Sequence, residues 1–334
     1  MNSKKSGNQT VTFQNPPVIL SRCNVVGPKE GDGPLKGSFD VILHDTYDGE
    51  KSWERTEAKI LERAMRGALE KVNVPSDSVD YILAGDLLNQ IISSNFAARQ
   101  MGLPFIGLYG ACSTMALSIA LGSMLIDGGF ASKTLCGASS HHDTAERQYR
   151  LPTEQGSQRA MYSQWTVTGA GTVLLGDSGQ GPRVTAATIG RILDYGETDA
   201  GNMGAAMAPA VADTILNHFQ DLNRHPDFYD LIVTGDLGSV GLQLVLDILK
   251  KSGLNINNFS DCGVMIYSTE QDTHAGGSGC GCSAVVLTGD ILNRMTSGEL
   301  NKVLLIGSGS LHSSLSTQQG ESMPAIGHAV CIEK

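Results

Sequence analysis

The amino-acid sequence predicts an α/β protein made of two similar halves, and three observations carry that reading. Short apolar runs of strand character alternate with stretches of helical spacing, the pattern of a mainly parallel sheet covered on both faces. Motifs of the first half return in the second at one offset: Cys282-Ser283 stands 170 positions after Cys112-Ser113, Gly307 stands 170 after Gly137, and His312 stands 170 after His142. Forty glycines, many at the ends of predicted strands, mark a fold in which backbones approach one another or a ligand closely. The halves so defined are 16–180 and 181–334, preceded by a polar leader, 1–15, expected to be flexible.

Taken in order, Asn24 to Gly37 reads as a Gly/Pro-rich loop. Trp53 to Leu69 places Ile60, Leu61, Ala64, Met65 and Ala68 on one helix face. After the turn Pro75-Ser76-Asp77, Val79 to Ala84 reads as a strand ending in Gly85-Asp86-Leu87, and a helix follows through Ala97 and Met101. Leu103 to Leu108 is an apolar run short enough for a buried strand. Beyond Cys112, residues Ala116, Ile119, Ala120, Ser123 and Met124 recur at helical spacing until Gly128-Gly129 stops the helix. Lys133 to Cys136 is a strand running into Gly137-Ala138-Ser139-Ser140-His141-His142. Asp143 to Thr166 is polar and irregular, and Gly169 to Leu175 closes the half. In the second half, Phe228 to Val233 is a strand ending in Gly235-Asp236-Leu237, an echo of Gly85-Asp86-Leu87. Leu242 to Lys251 is a helix, and Gly327 to Glu333 is the last strand.

Bulk properties narrow the function. With 41% apolar and 17% charged residues in 334, the chain has ordinary globular composition. A net charge of −10 with no basic patch argues against nucleic acid as a partner. Seven cysteines, an odd number in no secreted-type framework, fit a reducing compartment. Met1 to Thr10 carries no signal-peptide core, and no run of about 18 apolar residues predicts a membrane span.

The chemistry centres on Cys112, on the sharp turn between a buried strand and a buried helix. Free N–H groups and the helix dipole at such a position favour a thiolate or a bound anion; the alternative is a small packed side chain. Ligands of doubly wound sheets bind beyond the carboxyl ends of strands. Cys112, His141-His142, Gly235-Asp236, the run Gly307 to His312 and the run His274 to Gly279 are expected to converge there on one pocket at the junction of the halves. Of the adjacent histidines, His142 is favoured by its match to His312; the alternative for each is a structural histidine. Asp86 and Asp236 either contact a ligand or cap the helices that follow them, and capping is the favoured reading. Cys280-Gly281-Cys282 reads as a pair of packed thiols rather than a zinc site, and no metal or cofactor is expected.

This constellation resembles the thiolase and ketoacyl-synthase superfamily, over nearly the whole chain past residue 16. Cys112 matches the superfamily's nucleophile. His274-Ala275-Gly276-Gly277 is similar to its His-Pro-x-Gly segment, with Ala275 in place of Pro, and Leu305-Ile306-Gly307-Ser308-Gly309 to its Cys-Ile-Gly-Gly-Gly segment. The resemblance implies two duplicated βαβαβαββ halves in a five-layered αβαβα body, and a homodimer whose central strands pair across a two-fold axis. Two departures stand out. Leu305 occupies the place of a proton-handling Cys, and Gly235-Asp236-Leu237-Gly238 supplies neither the amide nor the imidazole usual in that loop. Condensing chemistry needs such donors for its oxyanion, each worth roughly 10²–10³ in rate. A Claisen enzyme is therefore not expected, although Cys112 with His274 leaves acyl transfer as the alternative activity.

Four runs narrow the resemblance to a branch of the superfamily from endospore-forming bacteria. They are Gly85 to Gln90, Gly107 to Met115, Gly137 to His142 and Thr273 to Cys282. The resemblance to this branch implies binding of dipicolinic acid (pyridine-2,6-dicarboxylate), alone or as its calcium chelate, during uptake into the developing spore. It also implies a forespore protein peripheral to the spore inner membrane, with membrane proteins of the same transport system as partners. A flat dianion would use the N–H groups at Cys112, close backbone approach at Gly277 and Gly307, and hydrogen bonds from His142, His274 and His312. Thr153 to Thr166 takes the place of a loop over the substrate channel, with Ser163, Gln164 and Trp165 reaching inward. Trp165 either stacks on the pyridine ring or fills core. A structural subunit with a vestigial pocket is the third possibility.

Overall fold

The computed structural model describes residues 3–149, 159–311 and 313–334. The strands are Lys5–Ser6 (β1), Thr10–Thr12 (β2), Val18–Val26 (β3), Val41–Ile42 (β4), Tyr81–Gly85 (β5), Phe105–Gly107 (β6), Lys133–Ser140 (β7), Trp165–Thr166 (β8), Gly169–Gly176 (β9), Arg183–Ile189 (β10), Leu231–Thr234 (β11), Phe259–Asp261 (β12), Gly277–Ser278 (β13), Lys302–Ser310 (β14) and Ala325–Glu333 (β15). The helices are Pro28–Gly31 (α1), Trp53–Glu70 (α2), Ile92–Met101 (α3), Thr114–Asp127 (α4), His142–Tyr149 (α5), Met203–Leu222 (α6), Gly238–Lys251 (α7), Cys262–Ile266 (α8), Cys280–Val286 (α9), Leu292–Ser297 (α10) and Ser314–Gln318 (α11).

One sheet runs β12-β11-β14-β15-β10-β3-β9-β7-β5-β6. Its two halves have the same order. Reading outward from the join, each presents its first main strand, then its fifth, fourth, second and third. The halves meet where Arg183 of β10 pairs with Val18 of β3. The sheet is mixed rather than mainly parallel, because β9 and β15 run antiparallel to both neighbours. The duplication extends to single side chains. Asp80 accepts the N–H groups of Ser132 and Lys133 at the start of β7, and Asp230 accepts those of Asn301 and Lys302 at the start of β14.

Packing produces five layers. Ile60, Leu61 and Met65 of α2 lie fully buried against Ile82, Leu135 and Leu174 on the outer face of the first half. Met207, Val211 and Ile215 of α6 cover Ile232, Leu304 and Ile306 of the second. Between the halves lie α4 and α9, with Met115, Ile119, Val285 and Val286 fully buried. α4 touches β5 and β7 on one side and β14 and β15 on the other. The apolar face read for α2 is the face that is buried, and Ser52 caps the helix by accepting the N–H of Arg55. α6 escapes sequence reading because Pro209 lies inside it and interrupts the helical signal.

The leader forms strands over part of its described residues. β1 pairs with β2, and β2 pairs with β10 through Val11 and Ala187. Asp221 at the end of α6 accepts the N–H groups of Asn8, Gln9 and Thr10. Polar composition misleads here because strand pairing draws on the backbone, which no composition count registers. The Gly/Pro-rich stretch from Asn24 likewise begins as the end of β3. Among the described residues, no helix is long and apolar enough to cross a membrane.

Candidate functional site

The turn that carries Cys112 is built by its own short side chains and by glycines behind it. Ala111 takes a left-handed conformation, φ +47°. Ser113 donates to the Gly110 carbonyl from both N–H (3.0 Å) and Oγ (2.6 Å), and Thr114 Oγ1 donates to the Ala111 carbonyl at 2.7 Å. Strand β14 presses against this turn from behind. A Cβ on Gly309 would lie 2.6 Å from the Gly110 oxygen, and one on Gly307 would lie 2.8 Å from the Ser113 oxygen. Gly307 therefore serves the approach of backbone to backbone, not of backbone to ligand.

Cys112 opens onto a cavity of about 1260 Å³. The walls come from residues 86–91, the inner face of α5, residues 159–163, the start of α6, and residues 310–315 on both sides of His312. Asp86, Glu146, Asp199 and Arg159 are the charged groups on the described walls. Asp86 accepts the N–H and Oγ–H of Ser94, both at 2.7 Å, and the N–H of Leu88 at 2.8 Å. It thus caps α3 as expected. Burial raises its pKa, and the buried Glu57 beside it is raised well above the carboxylate range by burial and then by Asp86.

The electrostatics at Cys112 oppose a thiolate. Burial first, then the Asp236 carboxylate and the neighbouring Cys280, push its thiol well above its ordinary pKa. A thiol raised in this way is neutral near pH 7. Asp236 does not cap a helix. Its Oδ1 accepts Ser308 Oγ–H and its Oδ2 the N–H of Gly279, each at 2.8 Å. Burial raises its pKa to about 7 against the opposing pull of Cys112, Ser308 and Gly279. The cap falls instead to Asp261, which accepts the N–H groups of Leu237, Gly238 and Val264.

Of the other residues singled out, Ser163 lines the cavity and donates to the Ala160 carbonyl at 2.6 Å. Gln164 stands behind the wall, its Nε2 donating to the Asp236 carbonyl at 2.8 Å and the Gly277 carbonyl at 2.7 Å. His142 stacks face to face on Trp165, ring centres 3.7 Å apart and 1° from parallel. Lys29 Nζ lies 4.2 Å from the centre of the same indole. Trp165 therefore stacks on a histidine and not on a ligand in the cavity. His274, in the left-handed region at φ +51°, uses Nδ1–H to hold the Ala160 carbonyl at 2.8 Å, with Nε2 3.3 Å from Asp272. It braces the cavity wall at Ala160. The Gly277 Cα points at Ile266, Val167 and Cys282, while the next residue, Ser278, reaches the cavity, as strand alternation requires. His312 lies outside the described residues, as does 153–158 of the expected channel loop. His141 is structural: its Nε2–H donates to the Thr46 carbonyl at 2.9 Å, and Nδ1 accepts the Asp143 N–H at 3.2 Å. The Cys280 thiol donates to the Ser139 carbonyl at 2.9 Å, and Cys280 and Cys282 are both fully buried, as packed thiols are. Sequence reading placed Asp236 at the pocket without its partners, and it missed Tyr149, whose hydroxyl donates to the Leu87 carbonyl at the wall, and Arg159. The Gly-Asp-Leu echo pointed to the first, and nothing local marked the other two.

These features define a protein of thiolase-like fold with Cys112 on the wall of its cavity. The chain superposes on 3-oxoacyl-(acyl carrier protein) synthase III from Pseudomonas aeruginosa PAO1 with a TM-score of 0.60 at 13% identity, covering 95% of this chain and 98% of that one. On Xanthomonas campestris OleA the TM-score is 0.61 at 12% identity, covering 97% and 98%. Residues 7–333 match the family model for stage V sporulation protein AD. The chain is 46% identical over 332 residues to stage V sporulation protein AD of Bacillus subtilis (strain 168), covering 99% of this chain and 98% of that protein. It belongs to the stage V sporulation protein AD family.

Proposed function

We propose that the protein binds dipicolinic acid, free or as its calcium chelate, for uptake into the developing spore. It would act as a homodimer, peripheral to the inner membrane of the forespore and working with membrane proteins of the same transport system. The observation that carries this reading is Cys112 itself: a neutral thiol beside a buried carboxylate, at the start of a buried helix, on the wall of a cavity of about 1260 Å³. A thiol in that state is a poor nucleophile, because the thiolate is the reactive form. The cavity and the polar groups around it remain available to a small rigid acid. Ser163, Ser278 and Ser310 place hydroxyl-bearing residues on the wall, and Arg159 offers a cation to one carboxylate.

Calorimetric titration with dipicolinate, alone and with one equivalent of calcium, tests the reading. Micromolar binding is expected, lost at least tenfold (about 1.4 kcal/mol or more) when Ser163→Trp fills the cavity and kept within about threefold in Cys112→Ala. Absence of binding by the wild type, or a stable acyl adduct on Cys112 after exposure to acyl-coenzyme A seen by mass spectrometry, would overturn it.

A further inference from the structure

Trp165 does not line the cavity, yet it gathers two positive charges at the cavity's edge. His142 stacks on one face of the indole at 3.7 Å, so Lys29 Nζ, 4.2 Å from the ring centre, takes the other face. The guanidinium carbon of Arg159 lies 5.0 Å from the same centre. Consecutive carbonyls of one turn hold the two cations side by side. Lys29 Nζ donates to the Gln271 carbonyl at 2.7 Å, and Arg159 Nη2 to the Asp272 carbonyl at 2.6 Å. A return bond from Gln271 Nε2 to the Lys29 carbonyl, also 2.7 Å, fixes the main chain of the lysine. Neighbouring acids do not neutralise the pair. Glu30 Oε1 accepts the Thr168 N–H at 3.0 Å and the Tyr267 hydroxyl, and Asp272 Oδ1 lies 3.3 Å from His274 Nε2. Among the described residues neither cation has an ion-pair partner, and each gives one donor to a carbonyl, leaving N–H groups on both for a ligand. Burial lowers the Lys29 pKa, Glu30 opposes that, and Arg159 lowers it further, as two crowded cations require.

Elsewhere the cavity repels a dianion. Asp86, Glu146 and Asp199 line it, Arg159 is the one cation on its described walls, and the chain as a whole carries −10. An incoming carboxylate is therefore drawn to the Arg159 side, where Lys29 adds a second charge over the same indole. We infer that Lys29 and Arg159, backed by Trp165, seat a carboxylate of the ligand and set the preference of the site for an acid over an uncharged molecule of the same shape. The inference rests on the binding reading and adds the place where the charge of the ligand is met. A guanidinium beside an ammonium suits a carboxylate, since the first offers a planar pair of donors and the second a point charge.

Calorimetric titration of the full chain with dipicolinate and with pyridine-2,6-dicarboxamide tests this, because the diamide keeps the shape and removes both charges. Lys29→Met leaves an apolar stem on the indole and takes away the charge. It should weaken dipicolinate about tenfold and the diamide less than about twofold, and Lys29→Arg should recover dipicolinate to within about threefold of the wild type. Arg159→Met should show the same selective loss. In the wild type, dipicolinate affinity should fall as salt rises. Equal losses of acid and diamide in the two methionine variants, the result of a merely structural role, overturn the inference. So does dipicolinate binding left unchanged in Lys29→Met. Wild-type affinity indifferent to an about tenfold rise in salt overturns it too, and that result needs no variant to fold. Absence of dipicolinate binding by the wild type is a different outcome: it sinks the binding reading and the seat together, whereas an affinity that ignores charge sinks the seat alone.

Discussion

Cys112 and Asp236 show how much a single neighbour decides. A cysteine before a buried helix carries the signature of a nucleophile, and that signature is all that residues 107–115 contain. The acid that reverses it arrives from more than a hundred residues away. Its protonation has a consequence for stability. Asp236 has a pKa of about 7 in the fold against 3.8 when free, so between those values the folded chain holds a proton that the unfolded chain releases. Its contribution is full below pH 4 and is lost as pH rises through 7. Urea unfolding at pH 4, 5.5 and 7.5 should show Asp236→Asn gaining on the wild type as pH rises, by on the order of 3 kcal/mol in total. A gap that does not change with pH would contradict this. Trp165 is the second residue-scale case. Sequence reading left it between ligand stacking and core, and its ring is in fact closed by His142 at 3.7 Å. Trp165→Ala should lower stability by about 2–3 kcal/mol in thermal unfolding. His142→Ala should add little in that background, because the two rings share one contact.

At the scale of elements, the order and face of α2, the edges of β5, β9 and β11 and the turn before α4 were all legible, because each rests on local periodicity or on a glycine. What β14 does was not. Gly307 and Gly309 read as space for a ligand, but they are the clearance that lets β14 lie against the Cys112 turn. Gly309→Ala places a methyl group 2.6 Å from a backbone oxygen that cannot swing away. It should cost about 1–3 kcal/mol and weaken dipicolinate binding by displacing Gly110 to Ser113. Full stability and binding in that variant would show that the strand has room to shift. The leader teaches the complementary lesson. Its polar residues signalled disorder, yet β2 completes an edge beside β10 because Asp221 collects three of its N–H groups.

Across the whole molecule, duplication followed by divergence explains the site. Gly85-Asp86-Leu87 and Gly235-Asp236-Leu237 follow equivalent strands, yet Asp86 caps α3 while Asp236 holds Ser308 and Gly279. Sequence presents the two as one motif, and only their neighbours distinguish them. On the proposed reading two copies pair through the free edge of β6, whose recorded partner strand is β5, so sedimentation equilibrium should return the mass of two chains. Ile106→Lys, a charge on that edge, should return one. The sequence by itself determined the two halves, their alternating elements, the buried face of α2 and the place of Cys112, because repeats and periodicity are properties of neighbours along the chain. Tertiary structure alone decided that His274 braces a wall, that His142 covers Trp165, that the glycines of β14 serve packing and that burial pushes the Cys112 thiol up. Each of those depends on which groups meet when separate elements pack together, and on a burial that shifts charge only after the chain has closed around it.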